Sequence, residues 1–357
     1  MILSKINKIK ISGVSVALPT KLLESQSYYS QFGKENVDKF IEMTGVGSVC
    51  RSVPEQTASD LGYLSAKRLI NERNIDVSEI GLLIFVSQKP DYRTPASSYI
   101  IHERLNLSEN CMCFDINLAC SGFLFGLQTA MSLLNSSNSK KALLITADTS
   151  VKTISEHDRT MIMLFGDSGS TLLLEKTDET MQTSFGVRSD GNRFKSIITP
   201  SGAYRNLNAS DESVSWSDGI IRSDYNTHMK GMEVFGFSIS DVPKLISDFL
   251  IEINKTPENF DHFVLHQANL YILKQLSRKN KIPMEKIPIS LDRYGNNSSN
   301  SIPLVLADHF SATENLTMSL FFSGFGAGLS WACADVVINT NAILPILFTD
   351  EYDLRYN

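Results

Sequence analysis

Apolar residues along the chain fall into two kinds of run: short uninterrupted ones, and longer ones with helical spacing. Residues 80–86, 141–147 and 167–174 are of strand length with few polar breaks, as strands buried on both faces of a parallel sheet are. Residues 8–18 alternate instead: Ile9, Ile11, Val14, Val16 and Leu18 are apolar, Gly13 marks a bulge, and Pro19 ends the run. Residues 32–43 read as a short charged helix, followed by a flexible turn at 44–47. Thr57 or Ser59 caps a helix that turns Leu61, Leu64 and Leu69 towards a core and ends near Asn71. A loop at 90–95 precedes a helix at 97–105. A strand at 113–116 then runs into a small-residue turn. The segment after it, to about residue 134, is apolar on every side (Phe123, Leu124, Phe125, Leu127, Ala130, Met131, Leu133, Leu134). A helix apolar all round is buried, and Gly122 and Gly126 would let another backbone approach it closely.

The second half repeats the plan. A polar stretch at 177–227 reads as a loop-and-strand insertion. A helix follows at 235–253, with Val242, Leu245, Ile246, Phe249 and Leu250 on one face, then a strand at 262–265 and a helix at 270–280. A glycine–asparagine turn at 294–296, a helix from about 301 to 310 and strands at 317–322 and 329–337 complete it, leaving 339–357 as a surface appendage. Alternating buried strands and helices predict a layered α/β architecture. The similar order of the two parts suggests an internal duplication, with halves at 1–175 and 176–357.

Composition narrows the function classes. The 357 residues, 42% hydrophobic and 20% charged, suffice for two core-bearing units. A net charge of −6 weighs against a nucleic-acid or anionic-membrane binder. Five cysteines without a Cys-x-x-Cys pair suggest neither a disulfide framework nor a zinc cluster, and Cys111 and Cys113 read as core. No apolar run approaches the ~18 residues of a membrane span, and the start lacks the h-region and cleavage site of a signal peptide. A reducing cytoplasm is the expected location.

Four segments carry candidate chemistry. Cys120 is expected at the N-terminus of the buried helix, where the helix dipole and unpaired N–H groups favour a thiolate. His266, in His-Gln-Ala-Asn, closes the strand at 262–265, and ligands gather at the carboxyl ends of parallel strands. His262 could form a metal pair with it, but no third ligand is at hand. Gly295-Asn296-Asn297-Ser298 is a tight turn at a helix start. The glycine-rich 324–329 segment lacks the helix and Gly-Lys-Ser/Thr of a P-loop, and better fits a turn aiming a backbone N–H at a substrate oxygen. Taken singly, each also suits a structural role: a buried cysteine, a satisfied histidine, a cap or a turn.

Read in order the segments change the picture: Asp115-Ile-Asn-Leu-Ala-Cys120-Ser-Gly-Phe, Asp158-Arg159, Phe165-Gly-Asp167, Glu233-Val-Phe235, His266-Gln-Ala-Asn269, Asp292-Arg-Tyr-Gly-Asn296 and Gly324-Phe-Gly-Ala-Gly-Leu-Ser-Trp331. Along nearly all of residues 8–338 the chain resembles β-ketoacyl-[acyl carrier protein] synthase III, a family of thiolase-fold condensing enzymes. The resemblance implies a thiolase-like α/β fold of two similar layered α-β-α-β-α halves, a homodimer, and Cys120, His266 and Asn296 meeting between the halves. Cys120 would take the acyl group from an acyl thioester, with an oxyanion hole from the N–H groups of Cys120 and Ala327. His266 and Asn296 would hold the thioester carbonyl of malonyl-acyl carrier protein while it loses carbon dioxide. No metal or redox cofactor is implied. Phe165 and Phe325 would line the acyl pocket; Arg159 and Asn269 would contact coenzyme A or the carrier.

The chain departs from the family pattern in places. The tryptophan expected before the Thr-Gly motif, for stacking on adenine, is absent, with Lys39 and Phe40 in that neighbourhood, and the arginine of that motif is Met43. A carrier-docking arginine is replaced by Tyr271, leaving Lys274, Arg278, Lys279 and Lys281 as substitutes or as an ordinary solvated helix face. Coenzyme A is therefore less secure as primer carrier than acyl carrier protein. Thr94 stands where a larger residue would reach across the dimer to floor the partner's acyl pocket, so a deeper pocket is expected unless Phe123, Phe165 or Phe235 fills it. Two other functions stay open: acyl transfer from Cys120 to a hydroxyl or amine, and a non-catalytic partner subunit.

Overall fold

The computed structural model describes residues 1–356. Its strands are β1 (Ile2–Asn7), β2 (Ile9–Leu18), β3 (Lys21–Glu24), β4 (Ser48–Arg51), β5 (Ile80–Val86), β6 (Met112–Ile116), β7 (Lys141–Asp148), β8 (Ser168–Lys176), β9 (Gln182–Ser189), β10 (His262–Leu265), β11 (Thr317–Gly326), β12 (Ser330–Asn339) and the short β13 (Leu347–Phe348). The main helices are α1 (Lys34–Thr44), α2 (Ala58–Glu72), α3 (Ser97–Arg104), α4 (Gly122–Ser136), α5 (Gly231–Glu252), α6 (Leu270–Asn280) and α7 (Ser301–Phe310). The local signals act as their chemistry requires. Thr57 caps α2 in a full capping box with Asp60, satisfying two donors at the helix start. The register of β2 slips between Ile11 and Gly13, at the glycine of the alternating run.

Two sheets carry the core. The first has the order β13-β2-β8-β7-β5-β6, the second β1-β9-β12-β11-β10. β5 is parallel to both neighbours, β6 and β7, which accounts for its unbroken apolar sequence. Helices α4 and α7 lie between the sheets: α4 touches β5 and β7 on one side and β11 and β12 on the other, and α7 touches β2 and β10. α2 covers the outer face of the first sheet, and α5 that of the second. The layers run α-β-α-β-α through the molecule. α4 buries Phe123, Leu124, Leu127 and Leu134 completely, at about 1.5–3 kcal/mol for each large side chain. Its glycines serve the first sheet's side chains, not another backbone: a Cβ on Gly122 or Gly126 would strike Val86, and on Gly126 also Leu144.

The termini exchange sheets. β1 pairs antiparallel with β9 in the second sheet, and β13 pairs parallel with β2 in the first. The segment from 339 onward is thus no surface appendage: Ala342, Ile343 and Leu344 are buried, and Leu344 N–H donates to Val14 O at 2.9 Å. The polar stretch from 177 also contains a full strand, β9, between β1 and β12; irregular chain with short two-residue strands begins only after it.

Candidate active site

Cys120 lies in the turn between β6 and α4, two residues before the first helical residue, with Ser121 as N-cap. What fixes it there is the facing strand. β11 passes so close that a Cβ on Gly326 would sit 2.7 Å from Cys120 Cβ and 3.2 Å from Sγ, and one on Gly324 would sit 3.1 Å from Cys120 O. Strand alternation puts both glycines on the face towards Cys120 and Phe325 on the other. Ser121 Oγ and Ser330 Oγ bond at 2.7 Å, and Ser330 Oγ donates to Ala327 O at 3.0 Å, so the Cys120 turn and the β11–β12 turn are tied together. Neither the Cys120 nor the Ala327 N–H has a backbone or side-chain oxygen acceptor among the described residues.

His266 follows β10 and Asn296 follows the turn at Gly295; both are buried. Gly295 has φ +68°, and a Cβ there would lie 2.5 Å from Val49 and 2.6 Å from Leu164 O, so only glycine fits. The Asn296 backbone is clamped on both sides, donating to Leu164 O at 2.8 Å and accepting from Gly166 N–H at 3.0 Å. Its Oδ1 accepts from Ser298 N–H at 2.9 Å, which leaves the amide NH2 for a ligand. His266 Nδ1 is 3.0 Å from Ser301 Oγ, which donates to Ser298 O at 3.0 Å. Ser298 Oγ lies 3.9 Å from Cys120 Sγ. Ser298 thus touches, directly or through Ser301, all three candidate residues. Its left-handed backbone, φ +50°, turns its N–H to Asn296 and its hydroxyl to Cys120.

Burial sets the protonation states. The His266 pKa is pushed down to about 3 because charging the enclosed imidazole is costly, so the ring is neutral at physiological pH. The Cys120 thiol is pushed up to about 12, chiefly by desolvation and then by the Asp148 carboxylate. The expected lowering at a helix N-terminus does not occur. A partly open cavity adjoins Cys120, with about 530 Å³ of empty space that includes open solvent. Ile154, Met161, Phe165, Ile197 and Met229 form its apolar wall, and Ala119, Ser298 and Ala327 also border it.

Two family models match the chain: 3-oxoacyl-[acyl-carrier-protein] synthase III over residues 114–191 and the C-terminal part of the same enzyme over residues 250–338. A β-ketoacyl-[acyl-carrier-protein] synthase III of Streptococcus suis is 30% identical over 329 residues, covering 91% of this chain and 97% of that protein. One from Clostridium perfringens is 32% identical, covering 91% and 98%. The chain belongs to the 3-oxoacyl-[acyl-carrier-protein] synthase III family. The crystal structure of a 3-oxoacyl-(acyl-carrier protein) synthase from Burkholderia xenovorans superposes with a TM-score of 0.91 at 32% identity, covering 98% of this chain and 99% of that one.

Within this synthase III chain, some residues anticipated around the site lie elsewhere or are engaged. Phe165 borders the cavity, but Phe325 does not: its ring packs 5.2 Å from that of His266 and 6.4 Å from Phe237, because it occupies the face of β11 opposite the glycines. Asn269 is the N-cap of α6, its Oδ1 accepting from Ile272 N–H at 2.8 Å. Lys279 Nζ donates to Ile239 O at 2.6 Å, while Lys274 and Arg278 are exposed on α6 and Arg278 bonds Gln275. Arg159 is exposed. Thr94 is exposed on its loop and does not border the cavity of its own chain. His262 packs against Phe310, ring centroids 5.0 Å apart. Sequence reasoning named Ser298 only as the end of the turn that holds Asn296 and missed Ser301; the only signal was the run of small polar residues after Asn296. It also missed Gln88, Lys89 and Asp148 at the cavity, since each sits just past or at the end of an apolar run and looks like a loop residue.

Proposed function

We propose that the protein is a decarboxylative condensing enzyme that joins an acyl thioester primer to malonyl-acyl carrier protein. The observation that carries this reading, in a chain of this family, is the convergence of Cys120, His266 and Asn296 on the single turn at Ser298. Cys120 Sγ attacks the primer carbonyl, the carrier thiol departs with the cysteine proton, and an acyl-cysteine remains. The oxyanion formed on the way meets the free N–H groups of Cys120 and Ala327. Malonyl thioester then binds with its carbonyl between His266 Nε2–H and the Asn296 amide NH2. Donation by Nε2 requires the neutral tautomer with Nδ1 unprotonated, so the single proton of the Ser301 hydroxyl must turn from Ser298 O to Nδ1, each 3.0 Å away. Carbon dioxide leaves, the bonding pair becomes an enolate held by those two donors, and its carbon attacks the acyl-cysteine. The β-ketoacyl thioester is released, and the Cys120 thiolate takes a proton from water.

The N-terminal and C-terminal halves, divided near residue 175, supply the cysteine and the His–Asn pair respectively. Two copies pair along the open edge of the first sheet, where β6 has no outer neighbour among the described residues and Met112 and Tyr99 are each 55% exposed. Arg159, Lys274 and Arg278 offer exposed positive charge to a phosphopantetheine carrier, and the reaction runs in a reducing cytoplasm. No helix among the described residues is long and apolar enough to cross a membrane. The test pairs carbon dioxide release with product formation. Wild type should release carbon dioxide from malonyl-acyl carrier protein and form a carbon–carbon bond. Asn296→Ala should still acylate Cys120 but condense roughly 100-fold more slowly. Acylation without any carbon dioxide release would instead indicate plain acyl transfer.

A further inference from the structure

The cavity beside Cys120 is bordered by a lysine that the condensation itself does not use. Lys89 follows the carboxyl end of β5, its backbone N–H fixed by Ser87 Oγ at 2.9 Å, and its side chain borders the cavity with Gln88. Among the described residues no carboxylate comes within ion-pair distance of Lys89. The nearest influential acid, Asp148, borders the same cavity, but it is occupied elsewhere. Its Oδ1 accepts from Ser87 Oγ at 3.1 Å and from Gln88 N–H at 3.2 Å, and its Oδ2 from Ser299 Oγ at 3.4 Å. Burial lowers the Lys89 pKa and the Asp148 charge raises it; the side chain is half-buried and has no direct ion-pair partner among the described residues. A cation so placed gains from an anion brought into the cavity.

Two groups could bring that anion: the malonyl carboxylate or the acyl chain on Cys120. The cavity is bordered by Cys120 and Ala327 but not by His266 or Asn296, so it lies on the acyl side of the site. A cation facing the malonyl carboxylate would also oppose the reaction. It would stabilise the charge where it starts, whereas catalysis requires stabilisation where the charge arrives, at the enolate oxygen.

We infer that Lys89 is a specificity-determining residue that selects a primer whose acyl chain ends in a carboxylate, a dicarboxylic acid half-thioester, over an apolar chain of the same length. This rests on the acyl-cysteine reading above and specifies its substrate class. Ile154, Met161, Ile197 and Met229 would pack the methylenes while Lys89, with Gln88 as a second donor, meets the terminal carboxylate.

The experiment is acylation of Cys120 followed by intact-protein mass spectrometry, with glutaryl and pentanoyl thioesters competing in one mixture. Both are presented first on coenzyme A and then on acyl carrier protein. The ratio of the two adducts does not depend on how much of a variant is folded. Wild type should prefer glutaryl. Lys89→Met should lower the glutaryl-to-pentanoyl ratio by about 30-fold or more, the scale of losing one partner of a buried charge pair. Lys89→Arg, which keeps the charge, should still prefer glutaryl. A wild type that prefers pentanoyl, or a ratio moved less than about threefold by Lys89→Met, overturns the inference and leaves the acyl-cysteine reading intact. Failure of glutaryl, pentanoyl and acetyl thioesters alike to modify Cys120 overturns both.

Discussion

Replacing Gly326 with alanine tests whether β11 sets the position of Cys120, the proposed nucleophile. The added methyl would lie 2.7 Å from Cys120 Cβ and 3.2 Å from its Sγ, whereas carbon atoms rest near ~3.5 Å or beyond. One side must therefore retreat by about 0.8 Å. β11 is held by β10 on one edge and β12 on the other, so it has little freedom. Cys120 stands on a turn pinned through Ser121 and Ser330, but it borders the cavity and is the side that can move. A displacement near ~1 Å of a reacting atom costs about 100-fold in rate, and overpacking costs about 1–3 kcal/mol of stability. Single-turnover acylation followed by mass, with urea unfolding on the same samples, reads both. Gly236→Ala is the control: nothing lies within 4 Å of the added methyl, and in the middle of α5 it should add up to about 1 kcal/mol of stability. Acylation by Gly326→Ala within about threefold of wild type would show that the close approach does not position the thiol.

Three other outcomes follow from the site. With the Cys120 thiol pushed up to about 12, its alkylation by iodoacetamide should rise about tenfold per pH unit between ~7 and ~9 with no plateau; a plateau in that range would contradict the burial argument. His266, held neutral with a pKa pushed down to about 3, takes up a proton on unfolding wherever the pH lies below ~6.5. Its contribution is therefore whole above that pH and fades as pH falls, by about 2 kcal/mol at pH ~5 relative to His266→Gln; urea titrations with the same pH dependence in both proteins would refute it. Thr94→Phe should cut acylation by long apolar primers more than about 30-fold relative to acetyl, as a ring replaces several methylenes' worth of space; an unchanged chain-length profile would remove Thr94 from the pocket.

The parts of the fold legible from sequence are those where one residue type has one physical use. The unbroken apolar run of β5 could only be a strand covered on both faces, and the all-apolar α4 only a helix between two sheets. Thr57 with Asp60 announced the start of α2. β9 was hidden because its buried residues include Thr183 and Ser184; small polar side chains satisfied inside a sheet look like loop. The crossing of the termini was hidden as well, since partners such as Ile2 and Val187 leave no local trace. At the site, Cys120, His266 and Asn296 could be singled out because each ends or begins an element. Ser298 and Ser301 could not, because their work depends on a left-handed backbone and on who lies across the turn. Phe325 was misplaced by overlooking alternation: if Gly324 and Gly326 face the cysteine, the residue between them cannot.

The thiol shows how two correct principles are ranked by magnitude. A helix N-terminus stabilises an adjacent anion by about 0.3–1 kcal/mol, less than one pKa unit at about 1.36 kcal/mol each. Enclosing the charge can shift a pKa by about 3–5 units the other way, and Asp148 adds to it. The helix end is also partly spent: Gly122 N–H donates to Ala119 O at 2.6 Å, and Leu124 and Phe125 N–H both donate to Ser121 O. Cys120 therefore waits as a neutral thiol. This does not obstruct the reaction, because transthioesterification has no net need of a base: the proton lost by the attacking thiol is taken up by the departing one. What the site must stabilise is the oxygen of the tetrahedral intermediate, and there the Cys120 and Ala327 N–H groups have no oxygen acceptor among the described residues. Stabilisation withheld from the resting thiol and offered to the transition state raises the rate of the chemical step, where stabilising both would not.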